Sequence, residues 1–101
     1  MLAFKVLRND LTSLGLRAAR HNRIRYRVGK WTVPDEPIAK NGESGGLYVT
    51  PTRGDANALR RYFEKKYGLI ARIFSCEIGR ILKRTSCRIK TDKVKLLQEI
   101  I

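Results

Sequence analysis

The residues from Thr52 to Gly68 most strongly constrain how this chain folds, because they predict one well-bounded amphipathic helix. Thr52 is suited to cap the start of the helix, with Asp55 three residues later in a weaker form of the capping box. Gly68 is placed to end it, since glycine readily adopts the left-handed conformation that follows a last helical turn. Four apolar side chains are spaced to form its buried stripe: Leu59, Tyr62, Phe63 and Tyr67. The main helix is therefore expected at about 53–67.

Short β-prone segments surround this helix and set the fold class. "LIARIFSCEIG" carries apolar residues on both faces, which is typical of a central strand. "AFKVL" and "LYVT" are further candidates, and "RTSCRIK" and "VKLLQEI" could form two more strands joined across residues 91–93. About five or six short strands and one main helix predict an α+β fold with a mainly antiparallel sheet. With 101 residues and 43% hydrophobic content, residues 1–101 are expected to form a single basic domain.

The segment "RIRYRVGKW" alternates between basic and apolar residues, which predicts a strand with one buried and one exposed face. The apolar set is Ile24, Tyr26 and Val28, and the basic set is Arg23, Arg25 and Arg27. The basic side chains would stand about 7 Å apart, near the spacing of successive phosphates in nucleic acid. Gly29 interrupts the alternation, so a bulge or bend is expected before Trp31. The alternative is a solvated sheet face with Trp31 in the core.

The balance of charge indicates the class of partner. Lys and Arg number 22 against nine Asp and Glu, which gives a formal net charge of +13. A polyanion relieves the self-repulsion of such a surface, and nucleic acid is the usual one, ahead of anionic lipid and an acidic protein face. A protein that is merely basic is the plain alternative. No apolar run approaches the ~20 residues that span a bilayer, so a cytoplasmic protein without a membrane partner is expected.

Three basic patches are candidates for contact with phosphates. The first surrounds the alternating segment, where Trp31 also offers a stacking surface to an unpaired base. The second runs from Arg80 to Lys95, and the third lies on the polar face of the predicted helix. The predicted nucleic-acid-binding residues are Arg17, Arg20, Arg23, Arg25, Arg27, Lys30, Trp31, Arg60, Arg61, Lys65, Arg84, Arg88 and Lys90. A groove would result if two of these patches met in space.

Residues suited to catalysis or metal binding are sparse. His21, the single histidine, sits among arginines that disfavour its protonation, and no serine has a recognisable nucleophile context. Cys76 and Cys87 lack the spacing of a zinc site. Buried free thiols are the favoured interpretation, and a disulfide is the alternative. We expect no catalytic residue, no metal and no cofactor, and a long loop over Val33 to Gly46.

The order of short motifs along the chain resembles a small domain of phage and mobile-element proteins. The motifs are "FKVLRNDLTSLG", "YRVGKW", "GGLYVT", "ARIFSCEIGRIL" and "DKVKLLQEI", and together they cover nearly the whole chain. This resemblance implies a compact α+β fold and carries no established activity.

A more remote similarity concerns ADP-ribosyltransferase-like folds. "GGLYVTPTRGDANALRRYF" followed by "ARIFSCEI" is similar to a strand-then-helix segment of those enzymes. They usually open with a histidine-containing strand that helps hold the nicotinamide dinucleotide, whereas the first strand here, "AFKVLR", has no histidine. The similarity implies a cleft lined by Tyr48 and Thr50 that has lost its chemistry.

Three hypotheses of function follow. The first is a non-enzymatic basic module, encoded by a phage or mobile element, that binds DNA or RNA through the phosphate backbone. The second is an inhibitor of a host protein or nucleoprotein complex, of the anti-CRISPR kind, that docks through a cationic face. The third is an ADP-ribosyltransferase-like enzyme or its inactive remnant.

Overall fold

Two antiparallel sheets and one helix make up the part of the chain that the computed structural model describes, which is residues 2–14, 24–34 and 46–101. In chain order the elements are β1 (Leu2–Arg8), β2 (Trp31–Thr32), β3 (Leu47–Val49), α1 (Arg53–Tyr67), β4 (Ala71–Ile78), β5 (Ile81–Arg84), β6 (Ile89–Thr91) and β7 (Val94–Ile100). The predicted α+β class is confirmed.

The strand β4 lies inside the larger sheet, whose order is β1-β4-β7-β2. Alternate residues of β4 enter two different buried clusters: Ile73 packs on the side of α1 with Val6, and Phe74 packs on the opposite side. The prediction of a central strand with two apolar faces is therefore confirmed.

The smaller sheet, of order β3-β6-β5, contributes to the cluster on the side of the larger sheet away from α1. That cluster, called the main core below, contains Ala3, Leu7, Tyr26, Leu47, Val49, Phe74, Cys76, Ile78, Ile89, Val94 and Leu96. A reciprocal backbone pair ties the sheets together: the Phe4 N–H donates to the Thr50 carbonyl (2.9 Å) and the Thr50 N–H to the Phe4 carbonyl (2.8 Å). Both sheets therefore contribute side chains to the main core, which lies between them.

The helix α1 has the bounds that its flanking residues predict. The Thr52 hydroxyl accepts a hydrogen bond from the Asp55 N–H at 3.1 Å, which satisfies one of the first backbone donors. Gly68 has a positive φ of 67°, and its N–H donates to the Glu64 carbonyl at 2.8 Å. No helix in the described ranges has the length and the apolar character needed to cross a membrane.

The predicted apolar stripe of α1 is wrong at two tyrosines. Ala56 and Phe63 are buried and Leu59 is partly buried, so the positions facing the sheet follow the spacing i, i+3, i+7. Tyr62 and Tyr67 lie beside this stripe and keep 49% and 42% of their surface exposed. Both phenol rings therefore lie at the surface of the helix and are nearly half exposed.

One strand prediction is also corrected. Residues 24–28 form isolated bridges at Arg25 and Val28 instead of a continuous strand. The two strands predicted on either side of residues 91–93 are present as β6 and β7; the chain crosses between the sheets at Asp92 and Lys93, so that β6 pairs with β3 and β5. The strand β5 is an element that the sequence patterns did not predict.

The turn after β4 crosses the connection between β6 and β7, and Gly79 lies at the crossing. The Gly79 N–H donates to the Lys93 carbonyl at 3.0 Å, and the Asp92 carboxylate accepts the Arg80 N–H at 2.8 Å. A Cβ at position 79 would overlap Asp92 Oδ1 and lie 2.6 Å from Lys93 Cγ. The close approach of two chain segments therefore requires glycine here.

The substitution Gly79→Ala should destabilise the fold by about 1–2 kcal/mol, because the Asp92 carboxylate must move off the Arg80 N–H to make room. Urea denaturation followed by circular dichroism measures the change. Gly54→Ala is the matched control, since the nearest atom to its added Cβ is Thr52 Oγ1 at 3.9 Å. The control should be neutral or stabilising, and equal losses in both variants would contradict the steric account.

Candidate nucleic-acid interface

The segment from Ile24 to Arg27 points two arginines at solvent. The Tyr26 ring is 1% exposed within the main core, and its N–H donates to the Leu11 carbonyl at 2.8 Å. Arg25 and Arg27, on either side of Tyr26, are exposed. Neither makes an ion pair with a carboxylate among the described residues. The predicted outward projection is therefore confirmed for these two arginines.

The alternation fails at Val28, which is 51% exposed. The chain turns immediately afterwards: Gly29 has φ of 80°, and the Lys30 N–H donates to the Arg27 carbonyl at 3.2 Å. The Gly29 N–H donates to the Leu96 carbonyl at 2.9 Å, so this turn is held at the edge of the larger sheet. Val28 consequently lies at the edge of the larger sheet, beside Leu96, and outside the main core.

Trp31 is at the surface, which overturns the alternative that places it in the core. It is 43% exposed and belongs to neither buried cluster. In the pairing of β2 with β7, Trp31 stands opposite Lys95. The ammonium Nζ atoms of Lys93 and Lys95 lie 4.5 and 5.8 Å from the centre of its ring, within the range of cation–π attraction.

This pairing joins parts of two basic patches that are far apart in the sequence. We use the name cationic edge for this contact together with the exposed cations of the segment that leads to it; it comprises Arg25, Arg27, Lys30, Trp31, Lys93 and Lys95. Lys93 and Lys95 belong to the predicted patch from Arg80 to Lys95, but they were not in the list of predicted nucleic-acid-binding residues. Their proximity to Trp31 depends on the pairing of β2 with β7, and a strand of only two residues leaves no recognisable pattern in the sequence. Glu77 is exposed and stands opposite Lys95 in the pairing of β4 with β7, so one acid borders this surface.

Three of the predicted arginines, Arg17, Arg20 and Arg23, lie outside the described residues, as does His21. Most of the predicted Val33 to Gly46 loop lies outside them too.

The predicted residues Arg84, Arg88 and Lys90 lie on the smaller sheet. Arg88 and Lys90 flank the Tyr48 ring, with the Arg88 guanidinium carbon at 5.2 Å and Lys90 Nζ at 5.5 Å from the ring centre. Arg84 is exposed on β5, but Lys90 is only 3% exposed. We therefore leave Lys90 out of the interface and treat this surface as separate from the cationic edge.

The helix cations form a further surface. Arg61 and Lys65 are exposed and Arg60 is half-buried. The helix packs on β1 and β4, whereas Trp31 is on β2, the outer strand beside β7. Lys66 Nζ donates to the Tyr62 hydroxyl at 3.2 Å, and this bond, together with the nearby tyrosines, raises the pKa of Lys66.

The Arg72 guanidinium is one cation that the fold neutralises. Its Nη2 lies 2.8 Å from Glu99 Oε1, and its Nε donates to Oε2 at 2.9 Å, which makes a two-point pair. Hydrogen bonding to Arg72 lowers the pKa of the Glu99 carboxyl, and the pair raises the pKa of Arg72. This arginine is therefore engaged within the sheet.

A lysine, a tyrosine and a cysteine meet inside the protein. Lys5 is 7% exposed; its Nζ donates to the Tyr48 carbonyl at 2.6 Å and lies 5.1 Å from the centre of the Tyr26 ring. Burial lowers the pKa of Lys5 to about 8, and it raises the pKa of the Cys76 thiol to about 12. Burial also raises the pKa of Tyr26, whose hydroxyl makes no hydrogen bond with the described residues.

Neither cysteine is in a disulfide. Cys76 is buried and Cys87 is exposed, so the prediction of buried free thiols is right for Cys76 and wrong in burial for Cys87. Within the described residues, no group of three or more His, Cys, Asp or Glu side chains could hold a metal ion. Thr50, predicted as a cleft residue, is 4% exposed, and its hydroxyl donates to the Phe4 carbonyl at 3.1 Å.

Comparison with known proteins returns no match: no family model, curated protein or solved structure is similar to this chain. The resemblances to a phage domain and to ADP-ribosyltransferase-like folds therefore stay predictions from short motifs.

The buried ammonium of Lys5 should make stability depend on pH. Because its pKa in the folded protein, about 8, is below the ordinary value of 10.5, unfolding takes up a proton between these values. Stability should rise as pH increases through this window, by at most about 1.4 kcal/mol per pH unit, and it should fall as pH decreases towards 8 and level off below that value. In Lys5→Met this contribution is absent, so the variant should lose stability relative to the wild type as pH rises from about 7 to about 9.

Urea titrations of both proteins across that range measure the difference in the free energy of unfolding. Lys65→Met, at an exposed position of α1, is the control and should follow the wild type at every pH. A difference between Lys5→Met and wild type that stays constant with pH would show that Lys5 does not titrate in this window.

Proposed function

We propose that this protein is a non-enzymatic module that binds nucleic acid through the phosphate backbone, with the cationic edge as its contact surface. The observation that supports this most is the exposure of Arg25 and Arg27 on a segment fixed by the burial of Tyr26. Lys30 directly precedes Trp31, and Lys93 and Lys95 lie against the Trp31 ring, so these lysines add positive charge where the segment meets the larger sheet.

The chemistry of these side chains suits phosphate recognition. A guanidinium group donates two parallel hydrogen bonds to phosphate oxygens, whereas an ammonium group acts as a compact point charge. Residues two apart in an extended segment are separated by about 7 Å, which matches consecutive phosphates. Contacts of this kind release counterions, so affinity should fall steeply with salt and depend little on base sequence.

The same proposal includes an origin in a phage or mobile element and a cytoplasmic location. The first of these rests on the resemblance of the motif order "FKVLRNDLTSLG", "YRVGKW" and "GGLYVT" to a domain of such elements.

A second candidate function is docking on the acidic face of a host protein or nucleoprotein complex, as an inhibitor. One observation favours it: Tyr67, Leu69 and Ile70, at the end of α1, are 42%, 47% and 70% exposed in near succession. Exposed aromatic and aliphatic side chains beside cations are typical of protein interfaces. This function predicts that the protein fails to bind free nucleic acid near physiological salt while binding a defined acidic partner.

The double variant Arg25→Glu and Arg27→Glu should lower affinity for nucleic acid at least about tenfold and reduce the salt slope by about two, because two phosphate contacts are lost. Both side chains are exposed, so the melting temperature should change little. Fluorescence anisotropy with labelled DNA and RNA at several salt concentrations measures both quantities.

The matched control reverses two other exposed cations, Arg53→Glu and Lys66→Glu on α1, and changes the net charge by the same amount. It should retain most of the affinity. Equal losses in the two double variants would show that only overall charge matters, and unchanged binding in a folded Arg25→Glu, Arg27→Glu protein would refute the site.

A further inference from the structure

The indole of Trp31 is placed for a contact that phosphate binding alone does not need. It lies on β2, a strand of only two residues at the outer side of the larger sheet. Trp31 is the single tryptophan of the chain, and nearly half of its surface is exposed. Val28 and Val33, which are close to Trp31 in the sequence, are also more than half exposed.

The cations around Trp31 restrict the chemistry of its ligand. Lys93 Nζ and Lys95 Nζ, at 4.5 and 5.8 Å from the ring centre, place two positive charges beside an aromatic face. An apolar protein surface would desolvate these ammonium groups without compensation. A ligand that combines flat π-faces with closely spaced negative charges suits both features, and a nucleotide strand has this combination.

Only an unpaired base presents a free face to such a ring. In a duplex each base is stacked on its neighbours, and the outside presents backbone and groove edges. We infer that the protein prefers single-stranded nucleic acid, with an unpaired base stacked on Trp31 and the adjoining phosphates held by Lys93 and Lys95. This inference rests on the proposed function and adds to it the class of substrate.

A purely structural role for Trp31 makes a different prediction. If the ring served only to attach β2 to β7 through its contacts with the two lysines, its removal would lower stability and affect all nucleic acids alike. If it stacks on a base, its removal lowers affinity for strands with accessible bases and leaves phosphate contacts intact. The two roles are therefore separated by ligands of equal charge that differ in their bases.

Because Trp31 is the single tryptophan, its fluorescence reports on this site in the unmodified protein. Three probes are titrated: an oligothymidylate of about 12 nucleotides, an abasic strand of the same length and phosphate number, and a duplex of about 12 base pairs. The thymidylate should quench the fluorescence and bind at least about tenfold more tightly than the abasic strand, since stacking contributes about 1–3 kcal/mol per base. The abasic strand should bind with little quenching.

Two substitutions at position 31 complete the test, with binding measured by anisotropy of labelled probes. Trp31→Ala should weaken thymidylate binding at least about fivefold and leave abasic and duplex binding unchanged. Trp31→Phe, which keeps an aromatic face, should retain most of the thymidylate affinity. Denaturation curves for both variants establish that they are folded.

The outcomes distinguish the two levels of the proposal. Equal affinity for the three probes, or an equal loss for all of them in Trp31→Ala, would overturn single-strand preference while leaving phosphate binding in place. Absence of binding to every probe at about 50 mM salt would overturn the proposed function itself. Preference for thymidylate that disappears in Trp31→Ala and persists in Trp31→Phe would support stacking on Trp31.

Discussion

The packing of the smaller sheet against the larger one, with the Tyr26 ring between their side chains, is the constraint on which the rest of the structure depends. It encloses the main core, and it draws residue 26 inward from a segment that has little ladder pairing of its own. Once Tyr26 is buried, its neighbours Arg25 and Arg27 are held outward. The turn at Gly29 then brings Trp31 alongside β7. The cationic edge is a consequence of core packing.

The excess of positive charge limits how many cations can be paired with acids inside the fold. A formal charge of +13 leaves few acids for internal neutralisation, and two of the described acids are engaged within the fold: Glu99 pairs with Arg72, and Asp92 accepts a hydrogen bond from the Arg80 N–H. Lys5 is buried with no carboxylate partner among the residues that the structure describes; the Tyr48 carbonyl and the Tyr26 ring contact its ammonium group, and burial lowers its pKa. Binding a polyanion would relieve the remaining repulsion at the surface.

Local patterns in the sequence predicted the features that local forces determine. The bounds of α1 follow from Thr52 and Gly68, the central strand follows from its two apolar faces, and the direction of Arg25 follows from alternation. The burial of Lys5 and the contact of Trp31 with Lys93 depend on pairings between distant segments, which composition and periodicity do not encode. The exposure of Tyr62 and Tyr67 depends likewise on which side of α1 meets the sheet.

The central claim is that residues 25–31 and 93–95 form one surface for a nucleotide strand. The most direct measurement is a heteronuclear NMR titration of the labelled protein with a short single-stranded oligonucleotide, recording the shift of each backbone amide. The largest changes should cluster at Arg25, Arg27, the Trp31 indole, Lys93 and Lys95. Changes confined to α1 or to the smaller sheet around Tyr48 would contradict the account.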